Sequence, residues 1–233
     1  MSVFKFKYFD VLQNDEVHKV GTDAMVLGAL IEAENPTHIL EIGTGTGVIS
    51  LMLAQIFQNA HITALDIDEK AVRLCEKNVC SSPFKDRIST SHQNFLTFSS
   101  DVRFDLIVSN PPYFNTTMLS DDTRKNLAKH EHSMSVKNLI IHADSLLTDA
   151  GVLGIILPSE RTESLLQSEL KLHLIKRIKV YGKPNKHVRD VLIFSKNKSE
   201  NLCIDTFLIR DEKGNYSEEY KQKTKDFHYN ELH

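Results

Sequence analysis

The stretch HILEIGTGTG, residues 38–47, decides how this chain folds. Its first half is a short apolar run that predicts a buried strand over 38–42. Its second half places glycine at alternate positions, Gly43, Gly45 and Gly47, which lets a backbone turn tightly and approach a ligand closely. Residues 46–57 follow with Val48, Ile49, Met52, Leu53 and Ile56 at helical spacing, so the turn also receives the free N–H groups of a helix start. A dinucleotide fingerprint would read GxGxxG. This one reads ExGxGxG, with Glu41 at the strand end. A carboxylate there fits poorly beside a pyrophosphate and well beside a cation; a tight turn that binds nothing is the plain alternative.

Working outward, the same alternation repeats. HITALD (61–66) reads as the next strand and EKAVRLCEKNV (69–79) as a two-faced helix. A short strand at 87–90 precedes FDLIVS (104–109), a buried strand. A helix is expected at about 134–147, capped by Ser133 or Ser135, then a strand at 151–158, a helix at 159–170 and a strand pair near 173–181 and 190–196. Alternating β and α predicts an α/β fold, a largely parallel sheet with helices on both faces and its ligand-binding loops along one carboxyl edge. Residues 1–33 (an aromatic alternation, then the helix TDAMVLGALIEA) and 202–233 (a strand-like LCIDTFLI and a polar tail) lie outside that pattern. No linker or repeat separates them, so 1–233 is expected to be a single domain with two extensions.

Composition excludes several classes. The 233 residues are 41% hydrophobic and 25% charged, as in soluble globular proteins, and no apolar run approaches the ~20 residues that span a bilayer. MSVFKFKYFD is too polar and interrupted for a signal peptide, so a cytoplasmic location is expected. Cys75, Cys80 and Cys203 form no CxxC pair, and the eleven histidines form no HExxH or HxH, so neither disulfides nor a metal is expected. The net charge of −3 does not advertise nucleic-acid binding, but its distribution is uneven. Lys171, Lys176, Arg177, Lys179, Lys183, Lys186 and Arg189 follow one another with no acidic residue between. Arg124, Lys125 and Lys129 form a second cluster, and Lys5 and Lys7 alternate with Phe4, Phe6 and Tyr8. Singly each is a solvated face; gathered by the fold they would attract phosphates.

Asp66 ends the second strand about 20 residues past the glycines, where a carboxylate can accept hydrogen bonds from both ribose hydroxyls. Asp68 is the better candidate for a helix cap. Asn94 is placed to touch an adenine edge, or is an ordinary loop residue. Together with Glu41 beside a cation, these residues suit S-adenosylmethionine. The glycine-rich loop, the acidic strand end and a fourth strand ending in SNPPYF (109–114) resemble the class I S-adenosylmethionine-dependent methyltransferases. That resemblance implies a Rossmann-like fold with a seven-stranded, mostly parallel sheet. Asn110-Pro111-Pro112-Tyr113 is similar to the [DNS]-PP-[YFW] motif of enzymes that methylate exocyclic or amide nitrogens. In that motif the Asn110 oxygen and the Pro111 carbonyl accept the two N–H groups of the target, whose lone pair is otherwise delocalised. Tyr113 stacks on the extruded base, and the prolines hold the acceptors rigidly. A structural turn would explain the prolines but not Asn110 and Tyr113.

The resemblance narrows outside the core. FKYFDVLQNDEVHKVGTDAMVLGAL (6–30), NPPYF, Arg124 with AKHE (128–131), and EKGNYSEEYKQKTKDFHYNELH (212–233) are similar to the bacterial tRNA(Val) (adenine-37-N6)-methyltransferase family. The resemblance implies that Lys19, Gly21 and Thr22, with Asp23, form a lip over the methionine part of the cofactor, although Thr22 or Asp23 could simply cap the helix. The basic clusters, one directly after the NPPY loop and one before the last strand, add expected RNA contacts by Arg124, Lys183, Lys186 and Arg189, with Pro112 and Phe114 beside the motif. Two positions depart from the family pattern: Asn94 stands where Asp is usual, and Asp190 intrudes after Arg189. The expected partner of a monomer is tRNA, with no membrane and no metal. A release-factor-type glutamine N5-methyltransferase shares NPPY but adds an N-terminal helical domain that 33 residues cannot form. A DNA adenine-N6 methyltransferase would need a sequence-reading insertion that is not evident. A nicotinamide oxidoreductase would need GxGxxG.

Overall fold

A computed structural model describes residues 1–17, 19–111 and 135–229. The chain opens with an antiparallel ribbon, β1 (Ser2–Lys5) and β2 (Asp10–Gln13), and enters helix α1 (Thr22–Leu30). Strand and helix then alternate: β3 (His38–Ile42), α2 (Val48–Ile56), β4 (His61–Asp66), α3 (Glu69–Cys80), β5 (Ile88–His92) and β6 (Phe104–Ser109). Beyond residue 134 come α4 (Val136–Leu146), β7 (Leu147–Pro158), α5 (Ser159–Leu166), β8 (His173–Lys183), β9 (Lys186–Ser195), β10 (Cys203–Leu208) and α6 (Glu218–Thr224).

The sheet order is β10-β8-β9-β7-β6-β3-β4-β5, and β9 is the strand that runs antiparallel to its neighbours. The sheet has eight strands, one more than the seven expected. The extra strand is LCIDTFLI, read from sequence as an extension, which pairs in parallel along β8 from Cys203↔Lys176 to Leu208↔Tyr181. As the edge strand it leaves most of its side chains exposed, so its sequence carries little of the apolar pattern of an interior strand.

Interior strands read as unbroken apolar runs because helices cover both faces. On one face Leu27 of α1, Leu51 and Leu53 of α2, and Cys75 and Val79 of α3 pack with Ile39, Ile62 and Val108. On the other, Leu139, Ile140 and Ala143 of α4 pack with Leu40, Ile107, Ile155 and Phe194. Helix α2 is buried from Val48 to Ala54 because α1 packs over it. Truncating such a leucine to alanine typically costs ~2–5 kcal/mol.

Local chemistry sets the boundaries. Asp68 caps α3 by accepting from the Lys70 N–H at 2.9 Å, and Ser135 caps α4 by accepting from the Asn138 N–H at 3.1 Å. Helix α4 stops at Leu146, short of the expected 147, because Leu147 pairs with Phe104 and opens β7. Strands β8 and β9 are longer than expected and meet at Pro184-Asn185. Asn185 has φ 61°, and a proline followed by a left-handed residue is the order used by type II turns.

Candidate active site

Parallel strands deliver their following loops to one edge. Here that edge gathers Gly43–Gly47 after β3, Asp66 at the end of β4, Asn94 after β5 and Asn110-Pro111 after β6. A surface depression lined by His38, His61, Arg87 and Phe104 lies where the same strands begin, at the opposite edge, and is separate from this site.

Gly43, Gly45 and Gly47 all have positive φ, at 74°, 54° and 80°, which favours glycine at each. The loop is anchored by Gly43 N–H and Thr44 N–H to the Leu65 carbonyl, at 2.8 and 2.9 Å. The three glycines nevertheless differ. A Cβ on Gly43 or Gly45 would meet nothing within 4 Å, so both border open space. A Cβ on Gly47 would fall 2.6 Å from Cys75 Sγ. Gly47 is required by its left-handed backbone and by the contact between α2 and α3.

Glu41 lies beneath the loop, 1% exposed. Its Oε2 accepts from Thr44 Oγ1 at 2.8 Å, from the Ser50 N–H at 3.0 Å and from the Ser50 hydroxyl. Its Oε1 is buried without a hydrogen-bond partner among the described residues. Burial pushes the carboxyl pKa up to about 7. Asp66 holds the loop from the next strand: Oδ2 accepts from the Gly45 N–H and Oδ1 from the Asp68 N–H, each at 2.9 Å. Burial raises its pKa as well, and each oxygen keeps a further lone pair.

Ile67, next in the chain, is 59% exposed at this edge. The sequence reading passed over it. The available signal was an apolar residue set between a site carboxylate and a capping aspartate, where a solvated loop would not place one. Asn94 caps a 3-10 turn at Phe95–Thr97, its Oδ1 accepting from the Leu96 N–H at 3.0 Å. The capping role is present, and its amide NH2 and the second lone pair of Oδ1 remain for an adenine edge.

Ser109 Oγ donates to the Ile42 carbonyl at 2.9 Å, clamping the end of β6 to the end of β3. Asn110, half-buried, and Pro111, buried, therefore begin where the glycine loop begins. Pro112, Tyr113, Phe114 and Arg124 lie outside the described residues, as do Lys125, Lys129 and the AKHE segment.

The segment expected to form the lip runs from α3 to α1. Val17 packs on Ala71 and Leu74, Glu16 pairs with Lys70 at 2.7 Å, and Lys19 pairs with Asp15 at 2.7 Å. Gly21 is the N-cap of α1, with no side chain capping it, so neither Thr22 nor Asp23 serves as a cap. Asp23 instead accepts from Arg189 Nε at 2.8 Å.

That ion pair ties β9 to the start of α1, so Arg189, expected at RNA, also has a structural partner. Two more of the seven basic residues are also committed. Arg177 forks onto Asp190 at 2.8 and 3.1 Å and onto Glu163 at 2.8 Å, and Lys176 pairs with Glu32 and Asp205. Asp190, the intruder of the sequence reading, is fully buried and also meets His187 Nε2 at 3.1 Å. Lys171, Lys179, Lys183 and Lys186 carry no ion pair to a described residue. Because β9 pairs with β7 so that Arg189 faces Pro158, the tip with Lys183 and Lys186 stands at the carboxyl edge. The aromatic cluster at the N-terminus does not join it. Lys7 pairs with Asp226, whose carbonyl takes Gln55 Nε2 at the last turn of α2, remote from the glycine loop at its first.

The donor set fits S-adenosylmethionine. It offers an unpartnered carboxylate oxygen for a cation, a second carboxylate for hydroxyls, an exposed apolar side chain for a ring, and open space over two glycines. Among the described residues no group of three or more His, Cys, Asp or Glu could hold a metal ion, and no helix is long and apolar enough to cross a membrane.

Comparison with known proteins agrees with this geometry. The methyltransferase small domain family matches residues 16–181. A protein of Flavobacteriaceae bacterium (strain 3519-10) named tRNA1(Val) (adenine(37)-N6)-methyltransferase is 38% identical over 98% of this chain and 99% of its own. One of the same name from Phocaeicola vulgatus is 39% identical over 97% of each. Among solved structures, a predicted O-methyltransferase from Agrobacterium tumefaciens superposes with a TM-score of 0.68 at 14% identity, covering 88% of this chain and 96% of that one, a likeness of fold alone. By its full-length similarity to these relatives, the chain belongs to the tRNA1(Val) (adenine(37)-N6)-methyltransferase family.

Proposed function

We propose that this protein transfers a methyl group from S-adenosylmethionine to the exocyclic N6 of an adenine in tRNA, adenine-37 beside the anticodon of a valine tRNA. One observation carries the reading. The Ser109–Ile42 hydrogen bond sets Asn110 and Pro111 against the loop of Gly43 and Gly45, so an amino group and a cofactor can be held by adjacent strand ends.

S-adenosylmethionine, when bound, supplies an electrophilic methyl group on a sulfonium. Glu41 Oε1 is the acceptor available for the cationic methionine end, Asp66 for the ribose hydroxyls and Ile67 for a face of the adenine ring. Lys19, Gly21 and Thr22 form the lip, and the Asn94 amide NH2 is left for the adenine edge. On the substrate side the Asn110 oxygen and the Pro111 carbonyl accept the two N–H groups of the target, leaving its lone pair free of the ring to attack. This is chiefly orientation and preorganised polarity, which can amount to several kcal/mol. Tyr113 stacks on the flipped base, flanked by Pro112 and Phe114. Lys183 and Lys186, with Arg124, meet RNA phosphates.

The chain acts as one methyltransferase domain, and the pairing of β10 within the main sheet supports taking residues 202–233 as part of it. A cytoplasmic monomer without metal is the form we propose. The test is methylation of total tRNA with labelled S-adenosylmethionine followed by nucleoside analysis. The expected product is N6-methyladenosine in one valine tRNA. Label in protein, with none in tRNA, would replace this reading by glutamine methylation.

A further inference from the structure

The hairpin tip that offers Lys183 and Lys186 also carries two rings. Tyr181 on β8 and His187 on β9 are cross-strand partners, with centroids 5.3 Å apart and planes inclined by 31°. Tyr181 belongs to neither of the two large hydrophobic clusters, and its hydroxyl makes no hydrogen bond to a described residue. It is a half-buried aromatic at the carboxyl edge whose ring neighbour among the described residues is His187. The His187 side chain is 26% exposed and fixed in orientation, its Nε2 lying 3.1 Å from Asp190 Oδ1 and 3.0 Å from the Arg189 carbonyl.

A cross-strand aromatic pair can serve merely to hold a hairpin together. That account leaves out what lies beneath it. Asp190 and Arg177 are buried together, and burying an ion pair costs desolvation that seldom returns as net stability. Below the hairpin tip, such a pair serves orientation more than stability: it fixes the His187 ring beside Tyr181. Lys179, Lys183 and Lys186 on the same two strands have no carboxylate partner among the described residues. Oriented rings among uncommitted cations are what unpaired RNA requires, bases stacking on the rings while the backbone meets the charges.

We propose that Tyr181 and His187 form a stacking platform for an unpaired nucleotide next to the target adenine, with Lys183 and Lys186 on its flanking phosphates. This rests on the RNA reading above. Strand β9 stands two strand spacings and β8 three from β6, roughly 10 and 15 Å from the strand that Asn110 follows. That separation suits a neighbouring nucleotide and not the target base itself.

The test uses the full chain and an unmodified valine tRNA transcript, measuring KM for RNA, kcat, and S-adenosylhomocysteine affinity by calorimetry. Y181A and H187A should each raise the RNA KM about tenfold with cofactor affinity unchanged. Y181F, which keeps the ring, should restore the KM. An RNA KM within twofold of wild type in Y181A would overturn the proposal. So would Y181F failing like Y181A, or cofactor affinity falling in parallel with RNA affinity. Wild-type protein that methylates no tRNA would remove the underlying reading, an outcome distinct from any of these.

Discussion

Glu41→Gln tests the site at its most buried charge. Glu41 has an ordinary pKa of 4.5 and a folded pKa of about 7, raised by burial. A raised folded pKa means that the folded state binds the proton more tightly. The associated stability is full below about 4.5 and is lost as pH rises through about 7. That gap corresponds to roughly 3 kcal/mol at ~1.4 kcal/mol per unit. In a domain of this size each kcal/mol moves the melting temperature by ~2–4 °C, so this one group should lower the ligand-free melting temperature by about 6–12 °C between pH 4.5 and pH 8. Glutamine keeps the shape, and its amide oxygen can accept from Thr44 and Ser50 as Oε2 does. It has nothing to ionise, so that component of the pH slope should vanish and the variant should outmelt the wild type at pH 8. Its NH2, standing where Oε1 was, cannot accept from a cation, so S-adenosylmethionine should no longer raise its melting temperature. Thermal melts across this pH range, with and without cofactor, measure both effects. A variant with the wild-type pH slope, or with undiminished stabilisation by the cofactor, would refute the reasoning.

Four further outcomes are expected. Asn110→Ala should lower kcat by ~10²–10³ with S-adenosylhomocysteine affinity intact, since one transition-state acceptor is lost; a calorimetric loss of cofactor binding alone would contradict its role. Arg189→Ala and Asp23→Asn should each weaken cofactor binding about tenfold, and the double variant should lose less than the sum of the two, because they share an ion pair. Gly47→Ala should destabilise the fold by at least ~1–2 kcal/mol through its φ of 80°, with a further cost from the Cys75 sulfur that Cys75→Ala partly relieves in denaturant titrations. Replacing Lys183 and Lys186 by alanine should flatten the slope of log affinity against log salt by roughly 1.4, if each meets one phosphate of unpaired RNA.

Where one element dictates its own form, the sequence was readable. HILEI, HITALD and FDLIVS announced strands because cover on both faces fills most of their positions with apolar residues. ExGxGxG announced a tight turn, and the structure gives it three positive φ values in five positions, which few residues other than glycine tolerate. Where the outcome depends on a distant partner, it was not readable. LCIDTFLI became an eighth strand through its register with β8, and its own exposed side chains hold little of that information. The run from Lys171 to Arg189 read as uniformly basic, yet Glu32, Glu163, Asp190, Asp23 and Asp205 neutralise three of its members, four of those acids lying outside the run by at least seven residues and Asp190 directly beside it. Gly47 looked like its two companions and differs through Cys75, 28 residues further along.

The Arg189–Asp23 pair joins the hairpin proposed to meet RNA to the helix start that follows the proposed cofactor lip. A rigid joint of this kind couples the two ligands through the fold, apart from their meeting at the transferred methyl group. If RNA shifts β9, the start of α1 must follow or the pair must break, so RNA and cofactor each change the other's affinity by one common factor. The order in which the two substrates load, and the ease with which methylated RNA departs while spent cofactor remains, would then be set by a bond that touches neither.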